Sequence, residues 1–246
     1  MATLTTSFNI IVKTNAIIWD DIAQEVKNGN VTVGTTYPLK FTDGTSTIME
    51  VIDIDETTGD AVFADTNGVD VSIHDEGAPS IDISWDNCSG RTYLNGEYLN
   101  KFPSNIRNKI KQKDGKYYKC ANSTTMAGVR GNITEILTIT DTIWVPTLEN
   151  VISADKVNKD YTPISGQKTY YRYRYENTEK YKYAEKRYLE GWWLSSPFRR
   201  IPETNINYAN KLYAMAVFAS GSMATLDGGH VTLYYGMVPH FILPGT

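Results

Sequence analysis

The sequence predicts an α+β fold arranged as one continuous domain. Short runs rich in β-branched and aromatic residues are separated by Asn-Gly, Asp-Gly and Thr-Gly pairs, which suit the tight turns of an antiparallel sheet. Other stretches carry apolar residues at helical spacing. No internal repeat, low-complexity tract or linker divides the 246 residues, so we expect one unit with an antiparallel sheet and two or more helices.

The first predicted element is a short amphipathic helix over residues 19–27. Ile18, Ile22 and Val26 follow at intervals of four, which places them on one helix face. The pair Asn28 and Gly29 ends the pattern, since this dipeptide favours a turn. Residues 1–15 are predicted to form an N-terminal arm, and residues 16–246 the single domain.

Strands are predicted to follow the helix, with a hairpin among them. The run at 48–54 and the run at 61–64 are joined across residues 55–60, which predicts that these two strands pair with each other. Turn pairs at Asp43-Gly44, Thr58-Gly59 and Asn67-Gly68 separate the runs, because these residues tolerate a positive φ. The four predicted strands are 37–41, 48–54, 61–64 and 69–73.

A second helical region runs from residue 94 to residue 111, and we predict that a proline divides it into two short helices. Its apolar side chains recur every four residues, but Pro103 lacks the amide proton that a helix interior requires. Strands are predicted further on at 133–139 and 143–145, and closing strands of an antiparallel sheet at 192–194, 214–218, 231–235 and 238–243. The tyrosine-crowded stretch 161–188 has no assignable secondary structure.

Charge is distributed unevenly along the chain. Residues 1–90 hold 15 acidic residues and three lysines, whereas the remainder holds 21 basic and 13 acidic residues. We expect the two halves to attract each other, within one fold or across an oligomer; a cation site in the acidic half and an anionic partner for the basic half are the alternatives. The net charge of −4 predicts no bulk attraction to nucleic acid.

Several classes of protein are disfavoured by what the sequence lacks. No stretch approaches the ~20 apolar residues of a membrane-spanning helix, so no membrane insertion is expected. The first ten residues, MATLTTSFNI, lack the basic and apolar regions of a signal peptide, which predicts a protein that the ordinary route does not secrete. Two cysteines, Cys88 and Cys120, are too few for a disulfide scaffold.

No pattern of catalytic or metal-binding residues is complete, so we predict no enzyme, no metal and no cofactor. Hairpin carboxylates suit a hard cation by type but depart from the calcium-loop pattern, and we expect them to be solvated. The histidines lack zinc spacing, and the nucleophile-elbow and phosphate-loop motifs are absent. The residues weighed were Asp53, Asp55, Glu56, Asp60, His74, His230 and His240.

The best candidate for a binding surface is a segment in which tyrosines alternate with arginines and lysines, running to Tyr188. Tyrosine offers a stiff amphipathic face and arginine adds charged donors, a combination that suits recognition of sugars, peptides or single-stranded nucleic acid. The net charge disfavours nucleic acid, and ordinary packing of the rings with solvated cations is the structural alternative. The predicted ligand-binding residues are Tyr170, Tyr171, Arg172, Tyr173, Arg174 and Tyr175.

Four blocks, in order, resemble one domain family of unknown function that is marked by WWLRSP and GVRPAF motifs. The resemblance extends from about residue 19 to residue 243. Residues 90–102 (GRTYLNGEYLNKF) are similar to LR-x-WLN-x-x-F, and residues 137–151 (LTITDTIWVPTLENV) to D-K-[IV]-F-L-L-S-x-x-E. Residues 191–197 (GWWLSSP) are similar to WWLRSP, and residues 227–243 (DGGHV to YGMVPHFIL) to DG-x-V and GVRPAFWL.

The resemblance implies a C-type-lectin-like fold, shared with formylglycine-generating enzymes and with receptor-binding proteins of retroelement-equipped phages. That fold has a short twisted antiparallel sheet and long loop insertions that form the binding face. Ser195 and the pair Met237 and Val238 stand where the family usually has basic positions. The enzyme branch holds copper with two cysteines, and Cys88 and Cys120 match no such motif. Trp192, Trp193 and Pro197 are expected in the core and at a turn.

Because the family is widespread in phage and in bacterial surface proteins, the resemblance implies a function in recognition. We expect a non-enzymatic phage virion structural protein at the tail tip, baseplate, fibre or capsid surface, made in the host cytoplasm and located in the virion. Its expected partners are other virion proteins and a host-surface glycan or protein, and it is expected to be a homo-oligomer. The alternative is a bacterial surface or intracellular binding module, and the third is a formylglycine-generating-type enzyme.

Overall fold

The protein combines helices and sheets in an α+β arrangement. A computed structural model describes residues 15–71, 85–120, 133–151, 164–170, 191–198, 213–220, 223–230 and 236–245. The helices are α1 (Asn15–Lys27), α2 (Ser89–Tyr93), α3 (Leu99–Lys101), α4 (Ser104–Arg107) and α5 (Leu148–Val151), with a 3₁₀ turn at Trp85–Asn87 and a π-helical turn at Leu94–Tyr98. The strands are β1 (Thr36–Lys40), β2 (Ser46–Ile54), β3 (Ala61–Asp65), β4 (Lys113–Cys120), β5 (Ile133–Asp141), β6 (Gly191–Phe198), β7 (Tyr213–Ser220), β8 (Met223–His230), β9 (Gly236–Met237) and β10 (His240–Leu243).

The first sheet has the strand order β1-β2-β3-β10, so it joins the beginning of the described chain to its end. All its pairs are antiparallel, with Val51 opposite Phe63 and Phe63 opposite Phe241. The predicted hairpin of β2 and β3 is confirmed, as are the positive φ angles of Gly59 in its turn and of Gly44 in the turn before β2. The first helix is confirmed too, beginning at Asn15.

Aromatic rings hold α1 and the helical region against this sheet. Phe63 and Phe241 stack with centroids 5.2 Å apart, and Trp19 of α1 packs on both rings. From the helical region, Phe102 contacts Phe241 edge-on. The Trp19 indole also donates to the carbonyl of Pro38 at 2.9 Å, which ties α1 to the edge strand β1. These rings are almost fully buried and form the centre of the core.

The helical region is interrupted at Pro103, as predicted. Helical backbone runs from Ser89 to Lys101, Phe102 is extended with φ −66° and ψ 136°, and α4 begins after the proline. A residue before proline avoids the helical conformation because the ring crowds it. The helix begins earlier than predicted, since Cys88 Sγ accepts a hydrogen bond from the Arg91 amide and caps α2.

Strands β4 and β5 form a separate antiparallel ribbon. β5 was predicted as 133–139 and extends to Asp141, whereas β4 was not predicted, because its sequence KDGKYYKC is too polar for an apolar run. Tyr117 of β4 is nevertheless buried and stacks on Trp85. Its ring lies where a side chain on Gly115 would be: a Cβ there would come within 2.5 Å of Tyr117.

The second sheet has the order β8-β7-β6-β9, and here the prediction of a purely antiparallel closing sheet was wrong. β9 pairs with β6 in parallel, and the strand predicted at 238–243 is shorter, forming β10 from His240, and lies in the first sheet. The chain passes from β9 to β10 at Pro239, whose carbonyl accepts from the Asp65 amide. Residues 143–145 form only a bridge, between Trp144 and His240, and residues 231–235 lie outside the described residues.

Among the residues that the structure describes, four ion pairs join acidic residues of 1–90 to lysines of the rest of the chain. Lys168 Nζ lies 2.9 Å from Asp53 and Lys111 Nζ 2.5 Å from Asp60. The other two pairs are Lys101 with Asp43 and Lys109 with Asp20. These pairs show that acidic and basic residues of the two halves attract each other within the fold, one of the two arrangements that the charge distribution allowed.

Candidate functional site

Tyr170 is the one predicted ligand-binding residue that lies among the described residues. It ends the segment 164–170 and is 5% exposed. The other five, Tyr171, Arg172, Tyr173, Arg174 and Tyr175, lie outside the described residues. The structure therefore locates the start of the predicted site, while the prediction for the rest of it stays a prediction.

Tyr170 packs in a cluster of four side chains that come from distant parts of the sequence. Its ring stacks on the His240 ring, with centroids 5.9 Å apart and planes 24° from parallel. Its hydroxyl accepts hydrogen bonds from Lys113 Nζ at 2.8 Å and from Trp144 Nε1 at 3.3 Å. We call Lys113, Trp144, Tyr170 and His240 the Tyr170 cluster.

The charge of Lys113 is held over aromatic faces. Its Nζ lies 4.6 Å from the centroid of the Trp144 ring and 5.4 Å from that of Tyr170. A cation over an aromatic face is attracted by the ring quadrupole, and the attraction grows where water is excluded. The ammonium therefore stabilises two rings of the cluster in addition to its hydrogen bond.

His240 is neutral in this cluster. Burial lowers its pKa to about 3, with a smaller effect of the nearby Lys113 charge in the same direction. Its Nδ1 lies 2.7 Å from the Val238 carbonyl, and because a carbonyl only accepts, the ring proton is on Nδ1. A histidine so far from its ordinary pKa does not exchange a proton near pH 7, so it acts as a packing residue.

Both ends of the tyrosine- and arginine-rich stretch are attached to one buried segment, residues 144–151, which we call the anchor segment. The Tyr170 amide donates to the Asn150 carbonyl at 3.0 Å, just before the stretch begins. The Ser195 amide, in β6 just after the stretch, donates to the Pro146 carbonyl at 3.0 Å. Every residue of the anchor segment is buried. The described residues on the two sides of 171–190 are thus hydrogen-bonded to the same segment.

Side-chain hydrogen bonds hold the chain just before the anchor segment. Asn95 Oδ1 accepts from the amides of Thr142 and Ile143, and Asn95 Nδ2 donates to the Ile143 carbonyl at 2.8 Å. The buried carboxylate of Asp141 accepts from Trp85 Nε1 at 2.6 Å and from Arg91 Nε at 2.7 Å. These bonds fix the anchor segment to the helical region.

The positions where the resembled family usually has basic residues serve packing in this chain. Ser195 is 4% exposed and its hydroxyl donates to the Val145 carbonyl at 3.1 Å. Met237 and Val238 are buried in the core. The side chains of Trp192, Trp193 and Pro197 lie outside the described residues, so their expected core and turn roles stay predictions.

Three of the hairpin carboxylates have structural partners, and the expectation that the hairpin carboxylates are solvated was wrong for two of them. Asp53 and Asp60 are buried at 4% and 9% exposure, in the ion pairs given above. Asp55 accepts from the amides of Thr58 and Thr57, which lowers the pKa of its carboxyl. Over the part of the chain that the structure describes, no three His, Cys, Asp or Glu residues group as metal ligands do.

Cys88, another reactive residue among those that the structure describes, is buried where it caps α2. Burial raises the pKa of its thiol to about 12, so it is protonated near pH 7 and is a poor nucleophile. Sequence reasoning missed Lys113 and Trp144 as site residues, because nothing local connects them to Tyr170. The sequence offered His240 only as a possible zinc ligand. Its bridge from β10 to Trp144 is a tertiary contact, which no local pattern predicts.

No helix among the described residues is long and apolar enough to cross a membrane.

Comparison with known proteins identifies a family. No curated protein and no solved structure matches the chain. A family model described as "Domain of unknown function (DUF6273)" matches residues 60–245, from β3 to the end of β10. Since this match covers most of the sequence, the chain belongs to the DUF6273 family.

Proposed function

We propose that this chain is a non-enzymatic structural protein of a phage virion, at the tail tip, baseplate, fibre or capsid surface. In this proposal a C-type-lectin-like domain binds a host-surface glycan or protein or a neighbouring virion subunit, and the protein is a homo-oligomer. The resemblance of the four sequence blocks supports the phage and lectin-like assignment. The α+β arrangement is compatible with it.

The observation that supports the binding function concerns the described residues that flank 171–190. Tyr170 and Ser195 each donate a backbone hydrogen bond to the buried anchor segment. Binding residues are commonly carried on chain segments that a rigid scaffold positions, because a fixed starting point lowers the entropy lost on binding. A stretch rich in tyrosine and arginine between two such points has the composition of a recognition surface.

The state of the reactive groups supports a non-enzymatic role. Catalysis requires an acid, base or nucleophile whose pKa is matched to the working pH. Among the described residues, His240 has a pKa of about 3 and the Cys88 thiol one of about 12, and both are buried. Neither group is suited to proton transfer or nucleophilic attack near neutral pH.

The binding surface is tested by replacing Tyr171, Arg172, Tyr173 and Arg174 with alanine and measuring attachment of the purified protein to host cells. We expect attachment to fall by roughly tenfold or more, since buried tyrosine and arginine anchors each contribute about 2 kcal/mol or more in interfaces. The matched control replaces the exposed Lys27 and Lys40 with alanine. Unchanged attachment by a folded quadruple variant would remove this stretch as the binding surface.

The virion location is tested by peptide mass spectrometry of purified phage particles and, separately, of cell fractions from the source. Stoichiometric recovery in particles is expected, and the copy number would distinguish a tail-tip protein from an abundant capsid decoration. Recovery in the cell fraction alone would contradict the virion assignment and favour the alternative, a bacterial binding module for a glycan or peptide.

A further inference from the structure

We propose that Asn28 is a modification site, at which the side-chain amide is lost spontaneously through a succinimide and is replaced by aspartate or isoaspartate. This inference goes beyond the proposed function and does not depend on it. The sequence contains three Asn-Gly pairs, which begin at Asn28, Asn67 and Asn95 and share the same local chemistry. The fold protects two of these pairs and exposes the first.

The reaction requires the backbone nitrogen of the glycine to reach the preceding side chain. The Gly29 nitrogen loses its proton to base in the solvent and bonds to Asn28 Cγ. The Cγ–Nδ2 bond then breaks, and the amide takes up a proton from water and leaves as ammonia. Water opens the ring at Cγ to give aspartate, or at the backbone carbonyl to give isoaspartate. Glycine favours the ring closure because it has no Cβ to obstruct the approach.

Asn28 and Gly29 lie on the surface, where α1 ends. The Gly29 amide donates to the Val26 carbonyl at 3.0 Å, and Gly29 has φ +70°, as is common where a helix ends on a left-handed glycine. Both residues are exposed, and Asn28 Oδ1 accepts an exposed hydrogen bond from Gln24 Nε2 at 3.0 Å. The last turn of a helix opens at little cost in free energy, so the Gly29 nitrogen becomes available for attack.

At Asn67 the attacking nitrogen is held by a buried residue. The Gly68 amide donates to the Asp65 carbonyl at 3.1 Å and to Asp65 Oδ1 at 3.2 Å, and Asp65 is 1% exposed. Gly68 is itself buried against the Met237 carbonyl. Release of this nitrogen would take a donor from a buried carboxylate, so opening costs more here than at the end of α1.

At Asn95 both ends of the side-chain amide are held. Oδ1 accepts from the amides of Thr142 and Ile143, and Nδ2 donates to the carbonyls of Arg91 and Ile143. The residue also lies within continuous helical backbone. Ring closure would break these hydrogen bonds and unwind the turn, so this amide is protected.

Conversion would change the end of α1. It adds one negative charge, which takes the net charge of the chain from −4 to −5. The new carboxylate lies at the C-terminal end of the helix, where the helix dipole disfavours a negative charge. The modified chain is therefore expected to open its last helical turn more readily.

The test is peptide mass spectrometry of the full chain after incubation in mildly alkaline buffer, either folded or unfolded in urea. Trypsin cleaves after Lys27 and Lys40, so conversion of Asn28 and of Asn30 is measured in the same peptide. Asn30 is the internal control, because it is also exposed but is followed by Val31, whose branched side chain obstructs the attack.

In the folded protein we expect Asn28 to convert at least roughly tenfold faster than Asn67 and Asn95, because more hydrogen bonds must open at those two sites. In urea the three Asn-Gly pairs should convert at similar rates, since the fold no longer separates them. Both product forms, aspartate and isoaspartate, are expected at position 28. Asn28→Gln keeps an amide but would need a larger ring, so it should abolish conversion at this position and leave the other two sites unchanged.

Four results would each overturn the proposal. Conversion of Asn67 or Asn95 as fast as that of Asn28 in the folded protein would show that the fold does not protect them. Equal conversion of Asn30 would indicate that exposure alone decides. The same ratio of rates in urea would assign the selectivity to local sequence, and aspartate without isoaspartate would indicate direct hydrolysis of the amide.

Discussion

At the scale of single residues, buried polar side chains connect segments that the backbone leaves apart. Asn95 satisfies two amides and a carbonyl next to the anchor segment, a pattern that an aspartate or a leucine of similar size would not reproduce. Asp65 similarly accepts from the amides of Asn67 and Gly68 and from the Tyr98 hydroxyl at 2.7 Å. Such residues restrict the core to one arrangement, because each alternative would leave a buried polar group unsatisfied.

His240 makes the stability of the fold dependent on pH. Burial lowers its folded-state pKa to about 3, below the value of about 6.5 expected in the unfolded chain. Above pH 6.5 the ring is neutral in both states; as the pH falls from 6.5 towards 3, the unfolded state binds the proton first and stability is lost. At pH 5 this loss amounts to about 2 kcal/mol relative to pH 7.

The measurement is urea unfolding of the wild type and of His240→Asn at pH 7 and at pH 5. Asparagine keeps a donor near the position of Nδ1 and does not titrate, so we expect the variant to lose about 2 kcal/mol less than the wild type between the two pH values. The carboxyl groups and the remaining histidines contribute the same pH dependence of stability to both proteins. An identical loss in both would show that His240 is not the group responsible.

At the scale of elements, the turns between strands demand glycine for two different reasons. Gly44 has φ +87° with open space around it, whereas Gly68 has φ +62° and its missing Cβ would lie 2.8 Å from the Met237 carbonyl oxygen. The turn at Gly68 thereby lets Val69 pair with Met237, where β9 approaches the first sheet. One turn requires only a backbone conformation, and the other also requires close approach of two chains.

We therefore expect Gly68→Ala to destabilise the protein more than Gly44→Ala. A left-handed conformation costs an alanine about 1–2 kcal/mol, and the contact with Met237 adds about 1–3 kcal/mol at Gly68. Chemical denaturation of the two variants measures the difference, with Gly44→Ala as the control for backbone strain alone. Equal losses would indicate that the chain around Met237 moves aside at little cost.

At the scale of the whole molecule, the structural core extends beyond the part of the chain that matches the family model. The match begins at residue 60, but β3 is paired on one side with β2, and Trp19 packs on the Phe63–Phe241 stack. The ion pairs from Asp53 and Asp20 to lysines of the later sequence add to this connection. Residues 15–59 are thus part of the same core as the family domain.

A chain that starts at residue 60 is expected not to unfold cooperatively, because removing α1, β1 and β2 exposes both phenylalanines and leaves β3 without one neighbour. A chain that starts at Asn15 retains every contact described above and serves as the control. Circular dichroism during thermal unfolding distinguishes them. A cooperative transition of the shorter chain near the temperature of the control would show that the N-terminal elements are dispensable.

Local patterns in the sequence determined those features that depend on neighbouring residues. The four-residue spacing of Ile18, Ile22 and Val26 defines one face of α1, the break at Pro103 follows from its missing amide proton, and the β2–β3 hairpin follows from two apolar runs around a short turn. These features share a cause that acts over a few residues. The binding role of the stretch that starts at Tyr170 was predicted from composition alone, and it stays a prediction.

Only the tertiary structure decided which distant segments meet. The polar strand β4 is stabilised by its pairing with β5. Residues 236–243 divide between two sheets at Pro239: β9, before it, pairs in parallel with β6, and β10, after it, pairs antiparallel with β3. Lys113, Trp144 and His240 surround Tyr170 although they are far apart in sequence. The contact is stabilised by stacking of Tyr170 on His240 and by the Tyr170 hydroxyl, which accepts from both Lys113 and Trp144. Contacts of this kind depend on long-range packing, which no spacing of residues along the chain encodes by itself.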